Sequence, residues 1–284
     1  MLRNTFCHIP GITLRQEKQL WDSGVHCWDQ SEAFNSEAVR ELSRHCERSV
    51  EDVLMESAFA LKAGDVRYFN TLLPTDQMWR LFPEFRPQIA YLDIETTGIG
   101  RNSLITTVAI YDGQRVRHYV QGRNLQDFTR DIHDYELIVS YNGKAFDVPF
   151  IERFFGIELG HPHIDLMYVL RSLGITGGLK GCERKMGLNR GDLEGVDGYF
   201  AVLLWREYQK RKNEKALETL LAYNIQDVLN LEPLLVMAYN LKLKATPFAR
   251  SHTLPLPECQ ANPFRPDEAT VQRVRLTDRR TWNV

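Results

Sequence analysis

An apolar run, Ile89 to Leu92, leads into Asp93-Ile94-Glu95 and then at once into the small-residue turn Thr96-Thr97-Gly98. In a strand, residues i and i+2 share a face. A strand over about Ile89 to Ile94 therefore sets the carboxylates of Asp93 and Glu95 side by side at its end, with Ile94 turned away. Charges of one sign that close repel unless a positive charge stands between them. The run asks for a sheet with a cation-holding pocket at a strand end, or else for a plain solvated turn.

The neighbouring sequence supplies the sheet. A second strand fits Leu104 to Tyr111, and the Asp112-Gly113 turn joins it to a third at Arg115 to Val120, a strong hairpin signal. A helix near Leu125 to Ile132, a buried strand over Glu136 to Tyr141, a helix from Pro149 to Gly156 and a short strand at His163 to Asp165 follow. Helical pieces then run near 166–173, 179–186, 199–211 and 214–240. Strands by hairpins, then strands and helices in alternation, make a mixed α/β layer arrangement.

The parts before and after this block differ from it. Residues 1–84 read as all helix: Leu14, Lys18 and Trp21 on one face with Gly24 as a stop, then a helix from near Ser36 carrying Val39, Leu42, Cys46, Val50, Val53 and Leu54 to Gly64. Short helices fit 65–72 and 76–81, and PEFRP, Pro83 to Pro87, reads as a linker. Beyond Asn240 periodicity fades among five prolines, so residues 241–284 are expected as an extended arm. That arm holds 8 Lys+Arg against 4 Asp+Glu, which makes it the candidate to grip phosphates. The expected division is thus 1–84, 85–240 and 241–284.

Two later stretches bear on the paired acids. In Ser140 to Phe150, SYNGKAFDVPF, a buried strand ends at Asn142-Gly143 and Asp147 precedes a helix, where it also suits an N-cap. In Leu221 to Leu231, LAYNIQDVLNL, Tyr223 and Asp227 are four apart and share a helix face, which also suits a surface tyrosine packed on a solvated acid.

Taken together, DIETT, YNGKAFDVPF and Y-N-x-x-D, in this order on strand, strand–helix and helix, resemble the three motifs of the DEDD group of 3′-to-5′ exonucleases, which have a ribonuclease-H-like fold. Tyrosine four residues before the last acid resembles the DEDDy branch, which includes the proofreading domains of family-B polymerases. The resemblance spans about residues 88–240. The chain is also similar to the bacterial YprB-like predicted exonucleases, here through FCHIPGI, LWDSGV and WRLFPEFRP as well.

The resemblance implies an α/β, ribonuclease-H-like mixed sheet flanked by helices. It also implies a metal site of Asp93, Glu95, Asp147 and Asp227. Four carboxylates in one pocket raise each other's pKa values, and hard divalent cations with oxygen ligands, Mg²⁺ or Mn²⁺, remove that problem. Two such ions about 3.5–4 Å apart clamp the attacking and leaving oxygens of a phosphodiester. In the family's pattern Asp93 bridges both ions, Glu95 and Asp227 hold the first, Asp147 supports the second, and Tyr223 orients the attacking water. Thr96, Asn142, Lys144 and Phe146 are the candidate substrate contacts. Asn142 equally suits closing a turn, Lys144 a solvated surface and Phe146 core packing. Asp165 matches an acid of the group and also suits a helix cap. Lys180, Arg184 and Lys185 share a helix face that could track a backbone and equally suits a plain solvated face.

The totals bound the partners. No apolar run reaches membrane-spanning length, and the N-terminus has no signal-peptide pattern. Five cysteines without a CxxC pair suit reduced thiols and a cytoplasmic setting, and His26-Cys27 and His45-Cys46 lack the second half of a zinc site. HIPGIT resembles the start of a helix-hairpin-helix with Thr13 where a second glycine is usual, so nucleic-acid contact and a packing role both stay open there. For the whole chain, a metal-dependent exonuclease on single-stranded DNA or RNA 3′ ends is the leading expectation. A nuclease fold used as a catalytically weak binding or adaptor module is the alternative.

Overall fold

A computed structural model of the protein describes residues 1–30, 48–193, 197–258 and 260–281. Helix α1 (Leu14–Asp22) starts at a capping box: the Thr13 hydroxyl accepts the Gln16 N–H, and the Gln16 side chain accepts the Thr13 N–H. Thr13 therefore serves helix initiation. The buried face of α1 is Glu17, Leu20 and Trp21 rather than Leu14, Lys18 and Trp21, and Leu14 is 39% exposed. Glu17 goes inward because the Arg80 guanidinium forks onto both its oxygens at 2.8 Å.

Helix α2 (Val50–Ala63) is capped by Ser49 and stops at Gly64, whose φ of +71° suits glycine. The expected start near Ser36, with Val39, Leu42 and Cys46, lies outside the described residues, as do His45 and Cys259. Helix α3 (Val66–Leu72) and a 3₁₀ helix over Thr75–Leu81 follow. The expected linker PEFRP is instead part of two short helical turns, Phe82–Phe85 and Arg86–Gln88. Both prolines sit in first-turn positions, where a missing N–H costs nothing, and Phe82 and Phe85 are buried.

The sheet consists of β1 (Ile89–Thr96), β2 (Ile105–Tyr111), β3 (Val116–Val120), β4 (Leu137–Ser140) and β5 (His163–Asp165), in the order β3-β2-β1-β4-β5. β1 pairs antiparallel with β2 and parallel with β4; β2–β3 is antiparallel and β4–β5 parallel. Asp112 closes the β2–β3 turn by accepting the N–H groups of Gln114 and Arg115. The mixed α/β sheet expected from the sequence is the one observed.

Helix α4 (Asp147–Phe155) begins two residues before Pro149, so the proline is its third residue and still within the first turn, whose N–H groups need no helical partner. The remaining helices are α5 (Leu166–Ser172), α6 (Gly178–Lys185), α7 (Gly198–Arg211) and α8 (Glu214–Leu243), the last lying across β1 and β2. The expected extended arm is corrected over its last stretch by α9 (Glu268–Thr281), where the Thr270 N–H donates to Asp267 Oδ1 at 2.8 Å. Thr270 and Val274 are buried in the first half of α9 while Leu276 faces out at 59% exposure, so the apolar residues of this stretch do not mark one face by themselves. Ahead of α9 the chain is strapped to α8: the Asn262 amide donates to the Ala222 carbonyl at 2.7 Å, and the Asp267 N–H to the Thr219 hydroxyl at 3.0 Å. The arm's Arg273 pairs with Glu207, and Arg275 lies over the Phe200 ring.

The two sheet faces feed two cores. Ile89 and Tyr91 pack with α8 and the N-terminal helices, while Ala90, Leu92 and Ile94 pack with Phe128, Ile132 and α4 residues Phe150 and Ile151. Among the described residues no helix is long and apolar enough to cross a membrane.

Candidate metal centre

The alternation of β1 continues past Tyr91, so Asp93 and Glu95 project from the α8 face of the sheet. Helix α8 brings Asp227 to the same place from 132 residues further along the chain, with Tyr223 one turn before it. One carboxylate oxygen each of Asp93, Glu95 and Asp227 lie within 4.8 Å of one another. They line a cavity of about 470 Å³, which Asp147 and Tyr223 also line. Asp147 stands outside the close triad. Its Oδ1 accepts the Ile94 N–H at 3.1 Å, and the N-cap of α4 is Phe146 with Asp147 its first helical residue, so the N-cap alternative does not hold. β4 ends at Ser140, and the Asp147 carboxylate takes up a β1 donor beyond that end.

Two sets of residues fix these acids. Asn224, next to Tyr223, donates to Asp93 Oδ2 at 2.7 Å while its Oδ1 accepts the Thr107 hydroxyl of β2 at 2.9 Å. Arg190, in the segment after α6, pairs with Asp227 Oδ1 and is itself held by Glu183, whose Oε1 accepts from Arg190 Nη2 at 2.8 Å and from Asn230 at 2.9 Å. Sequence reasoning assigned none of Asn224, Arg190, Glu183 or Asn230. Asn224 had a signal in its place inside Y-N-x-x-D; Arg190, in an ordinary polar loop, had none.

The electrostatics follow from enclosure. Burial pushes the Asp93 and Glu95 carboxyls well above the usual carboxylate range, and the neighbouring Asp227 and Asp147 charges add to it. Burial lifts Asp147 to about 7, against the Ile94 N–H, which favours the charged form. Burial also raises Asp227, with Arg190 opposing. The Tyr223 phenol is pushed upward by burial and by Asp227, Glu95 and Asp93, which keeps it a hydroxyl at working pH. Lys180 Nζ stands 4.5 Å from the Tyr223 ring centroid. Of its expected face-mates, Lys185 donates instead to the Thr176 carbonyl at 2.7 Å.

The candidate substrate contacts divide. Thr96, Asn142 and Phe146 line the cavity and Lys144 does not. The Thr96 hydroxyl donates to the Gly98 carbonyl, and Phe146 also packs on Phe150 with ring centroids 5.7 Å apart. Asn142 takes a left-handed φ of 63°. Asp165 serves both turn and cap: its carboxylate accepts the N–H groups of Asn142, Lys144 and Met167 at 2.8, 3.1 and 3.0 Å. It thereby hangs the loop leading to Asp147.

An all-oxygen donor set, with Glu95 and Asp227 buried, Asp93 partly so, and all three under mutual repulsion, suits a hard divalent cation, so Asp93, Glu95 and Asp227 fit a metal site. A family model, RNase_H_2 of the RNase H superfamily, matches residues 90–239. No curated protein matches the chain. Among solved structures, the chain is similar to the family B DNA polymerase from the hyperthermophilic archaeon Pyrobaculum calidifontis, at 16% identity and a TM-score of 0.43. That match covers 59% of this chain and 27% of the polymerase chain.

Proposed function

The chain belongs to the RNase H superfamily, and from that we propose a metal-dependent 3′-to-5′ exonuclease that hydrolyses phosphodiester bonds at nucleic-acid 3′ ends and releases 5′-mononucleotides. The fold implies a nucleic-acid substrate in general; single-stranded DNA is the end we favour. The observation that carries the reading is the convergence of Asp93, Glu95 and Asp227 within 4.8 Å, in a cavity that Asp147 and Tyr223 also line. The direction of attack rests on the resemblance of DIETT, YNGKAFDVPF and YNIQD to the DEDDy motifs. Cys7, Cys27 and Cys182, unpaired with one another, suit a cytoplasmic setting.

Two divalent cations, Mg²⁺ or Mn²⁺, supply water activation and charge stabilisation at the leaving oxygen when bound. The protein's share is placement. Asp93, Glu95 and Asp227 hold the cations, with Asp147 in support. Tyr223, protonated throughout, orients the attacking water by its hydroxyl. Thr96, Asn142 and Phe146 steady the terminal nucleotide, and Lys144 adds charge from outside the cavity.

A 5′-labelled single-stranded oligonucleotide with Mn²⁺ tests this. Stepwise shortening from the 3′ end, absent in Asp93→Ala and Asp227→Ala, is the expected result. Tight binding without products by the unaltered protein would instead favour the adaptor reading. Cutting of a circular RNA–DNA hybrid would make the enzyme an endonuclease, since an exonuclease needs an end.

A further inference from the structure

Arg190 brings a fixed positive charge into direct ion contact with Asp227 of the acidic triad. It comes from a short segment after α6, yet it is only 8% exposed. Its guanidinium is forked on Glu183 through Nε and Nη2, and Nη2 also faces Asp227 Oδ1. Glu183 is 1% exposed and takes a further hydrogen bond from Asn230, which lies on α8 three residues beyond Asp227. Asn230 in turn accepts from Gln226 at 2.9 Å. The path from Asp227 through Arg190, Glu183 and Asn230 thus returns to the helix it left.

A buried acid–arginine–acid chain is a costly way to stabilise a core, because apolar side chains of the same volume do as well or better. What it supplies is direction. A planar fork held at two points presents its remaining edge at a fixed angle, which a lysine ammonium cannot do. The Arg190–Glu183 pair is also neutral as a unit, so it orients Asp227 without cancelling the negative charge of the triad.

We infer that Arg190 is a positioning residue for Asp227: anchored by Glu183, it fixes Oδ1 and leaves Oδ2 to serve as a single-oxygen ligand to the cation. Asn224 does the corresponding work for Asp93. Asp93 is then held by a hydrogen bond and Asp227 by an ion pair, each from a side chain that is not itself a ligand, the arrangement that usually sharpens metal affinity.

This rests on the metal-dependent reading above, and Mn²⁺ binding to the full chain, followed by calorimetry and by the EPR signal of free Mn²⁺, tests it without an activity assay. Arg190→Met should weaken the tightest Mn²⁺ site by about ten- to a hundredfold. Charge alone predicts the opposite, since removing a cation beside the site should tighten binding. Arg190→Lys keeps the charge without the fork and should remain severalfold weaker than the unaltered protein. If Arg190→Met does not fold, Arg190→Lys decides by itself. Equal or tighter binding in Arg190→Met, or full recovery in Arg190→Lys, overturns the inference and leaves the metal site standing. No Mn²⁺ binding by the unaltered protein overturns both.

Discussion

Raising the pH from about 5 to about 8 should destabilise the metal-free protein and widen its gap from the metal-loaded one. In the folded chain burial holds Asp147 at about 7, against an ordinary 3.8, and displaces Asp93, Glu95 and Asp227 in the same direction. Between those ranges the folded state binds more protons than the unfolded state. The stability contributed by the neutral carboxyls is therefore complete below the ordinary carboxylate range and is lost as pH rises through the folded values. For Asp147 alone the part of the displacement that lies above about pH 5 corresponds to about 3 kcal/mol, a large part of the roughly 5–15 kcal/mol that holds a typical domain. A divalent cation takes the deprotonated form, so its stabilisation grows over the same interval. At a hundredfold excess over its Kd, one bound ion adds about 2.7 kcal/mol. At roughly 2–4 °C per kcal/mol for a chain of this size, that is about 5–10 °C in Tm near neutrality and less in acid. Thermal melts in EDTA and in Mn²⁺ across that interval read the gap directly, and titrations elsewhere in the protein cancel from the difference. A gap that stays flat, or narrows as pH rises, would refute the coupling between the four acids and the cation.

Three substitutions probe the centre piece by piece. Tyr223→Phe should lower turnover by about 100-fold while Mn²⁺ affinity measured by calorimetry stays the same, because only the water-orienting hydroxyl is lost. Asn224→Ala removes the 2.7 Å bond to Asp93 Oδ2 and the partner of the buried Thr107 hydroxyl. It should cost about tenfold or more in Mn²⁺ affinity and also lower Tm. Gly143→Ala would put a Cβ 2.1 Å from the Ser140 oxygen, in the turn before Asp147. A loss of about 1–3 kcal/mol in denaturant unfolding is expected, and an unchanged midpoint would mean that the turn yields more easily than it looks.

What the sequence made legible was periodic or motif-bound. Two-residue alternation in IAYLDIE put Asp93 and Glu95 on one face, and the structure has them there, continuing Ile89 and Tyr91. The four-residue interval put Tyr223 and Asp227 on one face of α8. What stayed hidden depended on partners far away in the chain. Glu17 reads as a surface helix residue until Arg80 is brought against it. Arg190 reads as loop charge until Glu183 and Asp227 close around it. PEFRP reads as a linker because proline usually marks a break; only the burial of Phe82 and Phe85 shows that both prolines open turns. Helix α9 follows five prolines and puts the apolar Leu276 outward among charges, so its period does not stand out.

The centre is assembled from β1, the start of α4 and the middle of α8, so its parts leave the ribosome far apart in time. A growing chain has Asp93, Glu95 and Asp147 long before it has Tyr223 or Asp227. The first three acids come without the fourth until α8 has emerged and settled over β1 and β2. A cation pocket built this way stays one acid short until the last long helix has docked.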